Sequence, residues 1–170
     1  MGPGSPGPMS MNVLRAAALA ASLAACLALA GCGSLSLDLL GSGGPVAVST
    51  SDAGEAARLI SAYRRSRGLG PVVVDAKLNE PAAEQARSIA RAGRLSHGDF
   101  ASRMASQDVS AAAENLAMGS SSLAGAIQQW KESRPHDANL LKDGMTRIGL
   151  ARAQTVGKGH NTYWALVLAR

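Results

Sequence analysis

The first strong pattern along the chain is a run of small, almost wholly apolar residues from Ala16 to Ala30, entered through Met11-Asn12-Val13-Leu14-Arg15 and closed by Leu29-Ala30-Gly31-Cys32. One positive charge followed by such a run is the layout of a secretory signal. The run is shorter than the ~20 residues that a membrane-spanning helix needs. Periodicity then disappears: from Gly33 to Ser51 the chain is rich in Gly and Ser and carries Pro45, which reads as a flexible tether.

From Asp52 the apolar positions become periodic again. Asp52 is placed to cap a helix whose apolar positions are Ala56, Leu59, Ile60 and Tyr63, with Gly68 and Gly70 ending it. Pro71 to Val74 is a short extended stretch. Leu78, Ala82, Ala86, Ile89 and Ala90 then mark the inner face of a second helix closed by Gly93, with Pro81 expected in its first turn. The stretch from His97 to Ala113 is polar and irregular, apart from one short helix over Phe100 to Ser106. Leu123, Ile127 and Trp130 define a third amphipathic helix that Pro135 forces to end near Ser133 or Arg134, and a helical turn follows from His136 to Leu141. The last two segments, Arg147 to Ala153 and Thr162 to Leu168, are apolar or alternating and flank Gly157 and Gly159, so they predict an antiparallel hairpin. Helices first and a strand pair last predict an α+β domain with helices flanking a small antiparallel sheet.

Composition narrows this picture. A chain of 170 residues holds one domain of ordinary size. Aromatic residues are 3% of it, so the core is built from Ala, Leu, Val and Ile. Cys26 and Cys32 are its two cysteines and both lie in the export segment, which leaves the domain without a disulfide, a thiol nucleophile or a thiolate metal site. The 17 Lys and Arg against 12 Asp and Glu give a mild positive excess. Arg64, Arg65 and Arg67 form its local cluster, and with so few aromatics to stack on bases they read as a solvated helix end, not a nucleic-acid site. Ser120-Ser121-Ser122 lacks the strand-turn-helix context of a hydrolase nucleophile, and neither a phosphate loop nor a dinucleotide fingerprint is present.

Leu29-Ala30-Gly31-Cys32 resembles the bacterial lipobox, with the Cys32 sulfur as lipid acceptor. Leu23-Ala24-Ala25-Cys26 is a weaker match, because cleavage there leaves Leu27 to Ala30 exposed. The resemblance implies three parts: a lipoprotein signal peptide over 1–32, the tether over 33–51 and the folded domain over 52–170. It also implies export and lipid anchoring in a bacterial cell envelope. Gly33 stands where an aspartate resembles an inner-membrane retention signal, so the expected destination is the outer membrane where there is one.

Within the domain, Leu95-Ser96-His97, Ala113-Glu114-Asn115-Leu116-Ala117, the series Trp130, Ser133, His136 and Asn139-Leu140-Leu141, Ile148-Gly149-Leu150, and Tyr163-Trp164 occur in that order. Together they resemble the CAP superfamily of cysteine-rich secretory, antigen 5 and pathogenesis-related 1 proteins, also called the SCP domain. The resemblance implies a three-layer α/β/α sandwich with a cleft that receives His97, His136 and Glu114. The family's second cleft glutamate falls on Ser133; Glu132 beside it points roughly 100° away on a helix and does not inherit the role.

Two neutral imidazoles and a carboxylate can hold Zn²⁺ at about 2.0–2.2 Å, so His97 and His136 are candidate metal ligands and Glu114 a candidate general base. The same residues also suit plain structural work. His97 can bond a loop carbonyl, and Glu114 and Asn115 can satisfy loop backbone. The leading expectation is therefore a lipid-anchored envelope module that binds a lipid, glycan or protein. A metal-dependent hydrolase using His97, His136 and Glu114 is the rival, and a purely structural surface domain the third reading.

Overall fold

A computed structural model of the chain describes residues 1–2, 45–156 and 161–170. The export segment with Cys32, the tether as far as 44, and Gly157, Gly159 and His160 lie outside the described residues.

Among the described residues ten elements follow one another: β1 (Val46–Ser49), α1 (Ala53–Ser66), β2 (Val73–Val74), α2 (Ala76–Ala92), α3 (Phe100–Ala105), β3 (Ala112–Met118), α4 (Leu123–Glu132), α5 (Arg134–Leu140), β4 (Arg147–Thr155) and β5 (Thr162–Ala169). The strands form a single sheet in the order β1-β4-β5-β3, with β2 also paired to β4. All pairings are antiparallel except that of β2, which runs parallel to β4 through Val73↔Arg147 and Val74↔Ile148. The expected hairpin is β4–β5, in register from Arg147↔Ala169 to Gln154↔Thr162. β1 and β2 share the other edge of β4. In the gap between them the Asn79 side chain accepts the Leu150 N–H at 3.0 Å, so the interrupted ladder keeps a partner there.

Alternation along β4 and β5 divides the interior in two. Ile148, Leu150, Trp164, Leu166 and Leu168 face α1, α4 and α5, whereas Ala151, Ala153, Tyr163, Ala165 and Val167 face α2 and α3. The result is the three-layer α/β/α sandwich. The first core holds both tryptophans, fully buried, with indole N–H groups donating to the Leu116 and Ser120 carbonyls. The second core is alanine-rich, which lets α2 lie close on the sheet. A side chain at Gly149 would put its Cβ 2.2 Å from the Leu78 carbonyl, so only glycine fits beneath the first turn of α2. Among the described residues both cores are made of residues between Val46 and Ala169, so the chain from Gly33 onward holds both.

Several expectations need correction. The segment read as tether up to Ser51 contributes β1: Val46 and Val48 are buried in the α2 core, and the strand pairs from Val46↔Thr155 to Ser49↔Arg152. β3 was expected to be irregular where it begins. Asp52 stands at the N-cap of α1 but its side chain accepts no capping hydrogen bond, and it lies 3.4 Å from the Arg152 guanidinium. α2 starts at Ala76, where Asp75 accepts the Lys77 N–H, so Pro81 falls in the second turn and costs the bond that the Lys77 carbonyl would otherwise accept.

Arg64 is the largest departure. It is not solvated but 1% exposed. Its guanidinium donates to the carbonyls of Gly70 (2.8 Å), Leu140 (2.8 Å), Lys142 (3.0 Å) and Met145 (3.0 Å). A planar fork of five donors suits a loop full of unpaired carbonyls, and here it ties α1 to the α5–β4 connection. Burial lowers its pKa from the usual arginine value, partly countered by Asp143.

Candidate functional site

β3 is the edge strand opposite β1, and its outer backbone is occupied by side chains. Asn139 Nδ2 donates to the Glu114 carbonyl at 3.1 Å and Trp130 Nε1 to the Leu116 carbonyl at 3.0 Å. This explains how a strand of sequence AAENLAM, with no β-branched residue, is held.

Neighbouring residues on a strand point to opposite faces. Glu114 therefore faces the α2–α3 side and Asn115 the α4–α5 side. Each reaches one of the two predicted histidines. Glu114 Oε1 lies 2.7 Å from His97 Nδ1. Asn115 Nδ2 donates to the His136 carbonyl at 2.9 Å and its Oδ1 accepts from Asn139 at 3.0 Å. Asn115 is 0% exposed, so these bonds satisfy an amide that would otherwise be stranded in the core.

His97 sits on the loop between α2 and α3, with its side chain 56% exposed. That loop is fixed from three directions. Buried Gln85 on α2 donates to the Ser96 carbonyl, Arg103 Nη1 on α3 donates to the His97 carbonyl at 3.0 Å, and Glu114 holds the ring. Arg103 Nη2 also donates to Glu114 Oε2 at 2.6 Å. The Glu114 side chain is 1% exposed and both of its oxygens are engaged.

His136 lies in the first turn of α5, after Pro135, and is half-buried. Its pKa falls below the ordinary 6.5, first through burial and then through the charge of nearby His97. His97 and Glu114 are thus in contact, His136 is tied through its backbone to the next residue of β3, and the neutral imidazole is favoured at His136.

Ser133, at the place of the family's second glutamate, is the N-cap residue of α5 with no side-chain capping bond. Glu132 is exposed and accepts from Gln128, so it brings no second carboxylate beside Glu114. Trp130, Tyr163 and Trp164 are core residues. Arg103 and Gln85 were not anticipated. Neither lies in a recognisable motif, and each gains its role from a partner outside its own helix.

Catalytic zinc sites take three protein ligands and leave one position open. Here two imidazoles are available, and the carboxylate that would make a third is bound on both oxygens. Among the described residues no trio of His, Cys, Asp and Glu is arranged to hold a metal ion. The residues present do not fit a resident zinc.

A three-layer sandwich with a histidine pair gathered at the edge strand by a Glu-Asn dipeptide defines a class. The model of the cysteine-rich secretory protein family, CAP, matches residues 57–168, and the chain belongs to that family. No curated protein sequence matches it.

Solved structures are similar in fold. An outer surface protein from Borrelia burgdorferi is 21% identical with a TM-score of 0.60, over 70% of this chain and 95% of that one. An extracellular protein containing an SCP domain, from Bacillus anthracis, gives 21% and 0.60 over 70% of this chain and 40% of that one. A cysteine-rich secretory protein from Staphylococcus aureus gives 16% and 0.55 over 69% and 38%. The chain spans about two fifths of the last two proteins.

Proposed function

We propose that this is an exported, lipid-anchored protein of the bacterial cell envelope whose CAP domain binds a lipid, glycan or protein ligand at the His97–Glu114–His136 cleft without turning it over. The observation that carries the binding-only reading is the engagement of Glu114. A general base needs a carboxylate oxygen with a free lone pair directed at water or substrate. Glu114 gives one oxygen to His97 and the other to Arg103, and it is sealed from solvent.

Export and anchoring are supported by the signal-like run that ends in Leu29-Ala30-Gly31-Cys32. They are also supported by similarity in fold to proteins described as outer surface and extracellular. The exposed ring of His97 and the half-buried, neutral His136 then serve as hydrogen-bonding groups in the cleft.

Incorporation of labelled palmitate into the wild-type chain, and its loss in Cys32→Ser, tests the anchor. Native mass spectrometry of the chain from Gly33 onward, recovered from envelope extract, tests the cleft. The expected result is a non-covalent adduct that disappears when His97 and His136 are both replaced by Ala. Hydrolysis of casein or of a nitrophenyl ester that is lost in Glu114→Gln contradicts the reading.

A further inference from the structure

We propose that residues 93–98, which connect α2 to α3, form a hinged strap that the His97 ring latches over Glu114, and that releasing the ring opens the strap as a unit while both cores stay folded. Every residue from Arg91 to Asp99 is exposed, and Leu95, the strap's apolar side chain, joins neither core. Three side chains of the body hold the strap instead. Buried Gln85 on α2 donates to the Ser96 carbonyl, Arg103 Nη1 on α3 donates to the His97 carbonyl at 3.0 Å, and Glu114 Oε1 on β3 lies 2.7 Å from His97 Nδ1. At each end stands a glycine in the left-handed region, Gly93 at φ 63° and Gly98 at φ 53°, where the missing Cβ lets the backbone turn at little steric cost.

A segment that buries little apolar surface and hangs on a few hydrogen bonds opens locally, well before the domain unfolds. The His97 ring is the latch because it covers what lies beneath. The ring side chain is 56% exposed, whereas the Glu114 side chain under it is 1% exposed. Arg103 Nη2 keeps Glu114 Oε2 at 2.6 Å, and its guanidinium lies 5.7 Å from the Phe100 ring centroid, so the body side of the latch keeps its geometry without the strap. Opening therefore bares Oε1. An ionised carboxylate only accepts, so the open strap offers Glu114 to water or to a ligand hydroxyl or amide, and not to an anion.

The inference depends on neither the lipid anchor nor a bound ligand. A strap that opens in a chain carrying no envelope adduct keeps this inference and removes the preceding one.

Two signals test it on the chain from Gly33 onward: trypsin cleavage after Arg94, and carbodiimide coupling of glycinamide to Glu114, each located by peptide mass spectrometry. Arg65 and Glu132, exposed at the ends of α1 and α4, are the internal controls. In the wild type, Glu114 is expected to couple at least tenfold more slowly than Glu132. His97→Ala is expected to raise Glu114 coupling and Arg94 cleavage together, at least tenfold, with cleavage after Arg65 within twofold of wild type. Arg94 cleavage that is equal in wild type and His97→Ala overturns the proposal, as does either signal rising without the other. A matching rise after Arg65 also overturns it, because the whole domain has then loosened. Should His97→Ala not fold, Arg103→Lys, which keeps a positive charge for Glu114 but loses the fork that reaches the His97 carbonyl, is read by the same signals and criteria.

Discussion

The two walls on either side of β3 carry their histidines by different means. On the α2–α3 wall His97 is held by its side chain, through the carboxylate of Glu114 and a guanidinium behind it, and the ring stands mostly in solvent. On the α4–α5 wall His136 is held by its backbone, through Asn115, and its ring is half-buried. The first wall rests on an alanine-rich core and a charged ring of contacts. The second rests on both tryptophans and on Arg64, which pins the chain just after α5. Charge governs one wall and packing the other, so damage to the second should spread further through the fold.

Substitution should expose this difference. Arg64→Met strands four buried or part-buried carbonyls and is expected to cost roughly 3 kcal/mol or more of stability in urea unfolding, with loss of order around His136. Asn115→Ala removes the bonds to His136 and Asn139 from a fully buried position, and about 2 kcal/mol is expected. Glu114→Gln on the other wall is expected to cost about 1 kcal/mol, since Arg103 retains some access to water, while freeing the His97 ring in NMR spectra. If Glu114→Gln proves more damaging than Arg64→Met, the contrast between the walls is wrong.

The same contrast explains what the sequence made legible. α1, α2 and α4 came from periodicity, because each buries one regular face, and the β4–β5 hairpin came from two apolar runs that are buried on both faces of the sheet. β1 and β3 did not. β1 is four residues inside a Gly/Ser-rich stretch, and β3 carries Ala, Glu and Asn where strand formers are usual; both exist because a neighbouring strand and buried side chains complete them. His97, Glu114 and His136 were named through family resemblance; the structure sets His97 against Glu114 and ties the His136 backbone to Asn115. Arg64 looked like one member of a surface cluster, since nothing local shows that a loop about eighty residues away offers it carbonyls. Arg103 was silent because its partners, the His97 carbonyl and Glu114, lie outside its own short helix.

The smallest effect is the most direct test. A histidine held neutral by the fold is protonated more readily in the unfolded chain. Its contribution to stability is therefore unchanged above pH 6.5, declines as the pH falls below 6.5, and levels off once the lower folded midpoint is passed. Two-dimensional NMR titration of the histidine rings reads that midpoint in the wild type and in His97→Ala. If Glu114 and Asn115 gather both histidines into one cleft, His136 titrates below 6.5 and moves upward when His97 is removed. A His136 midpoint that ignores the loss of His97 contradicts the shared cleft.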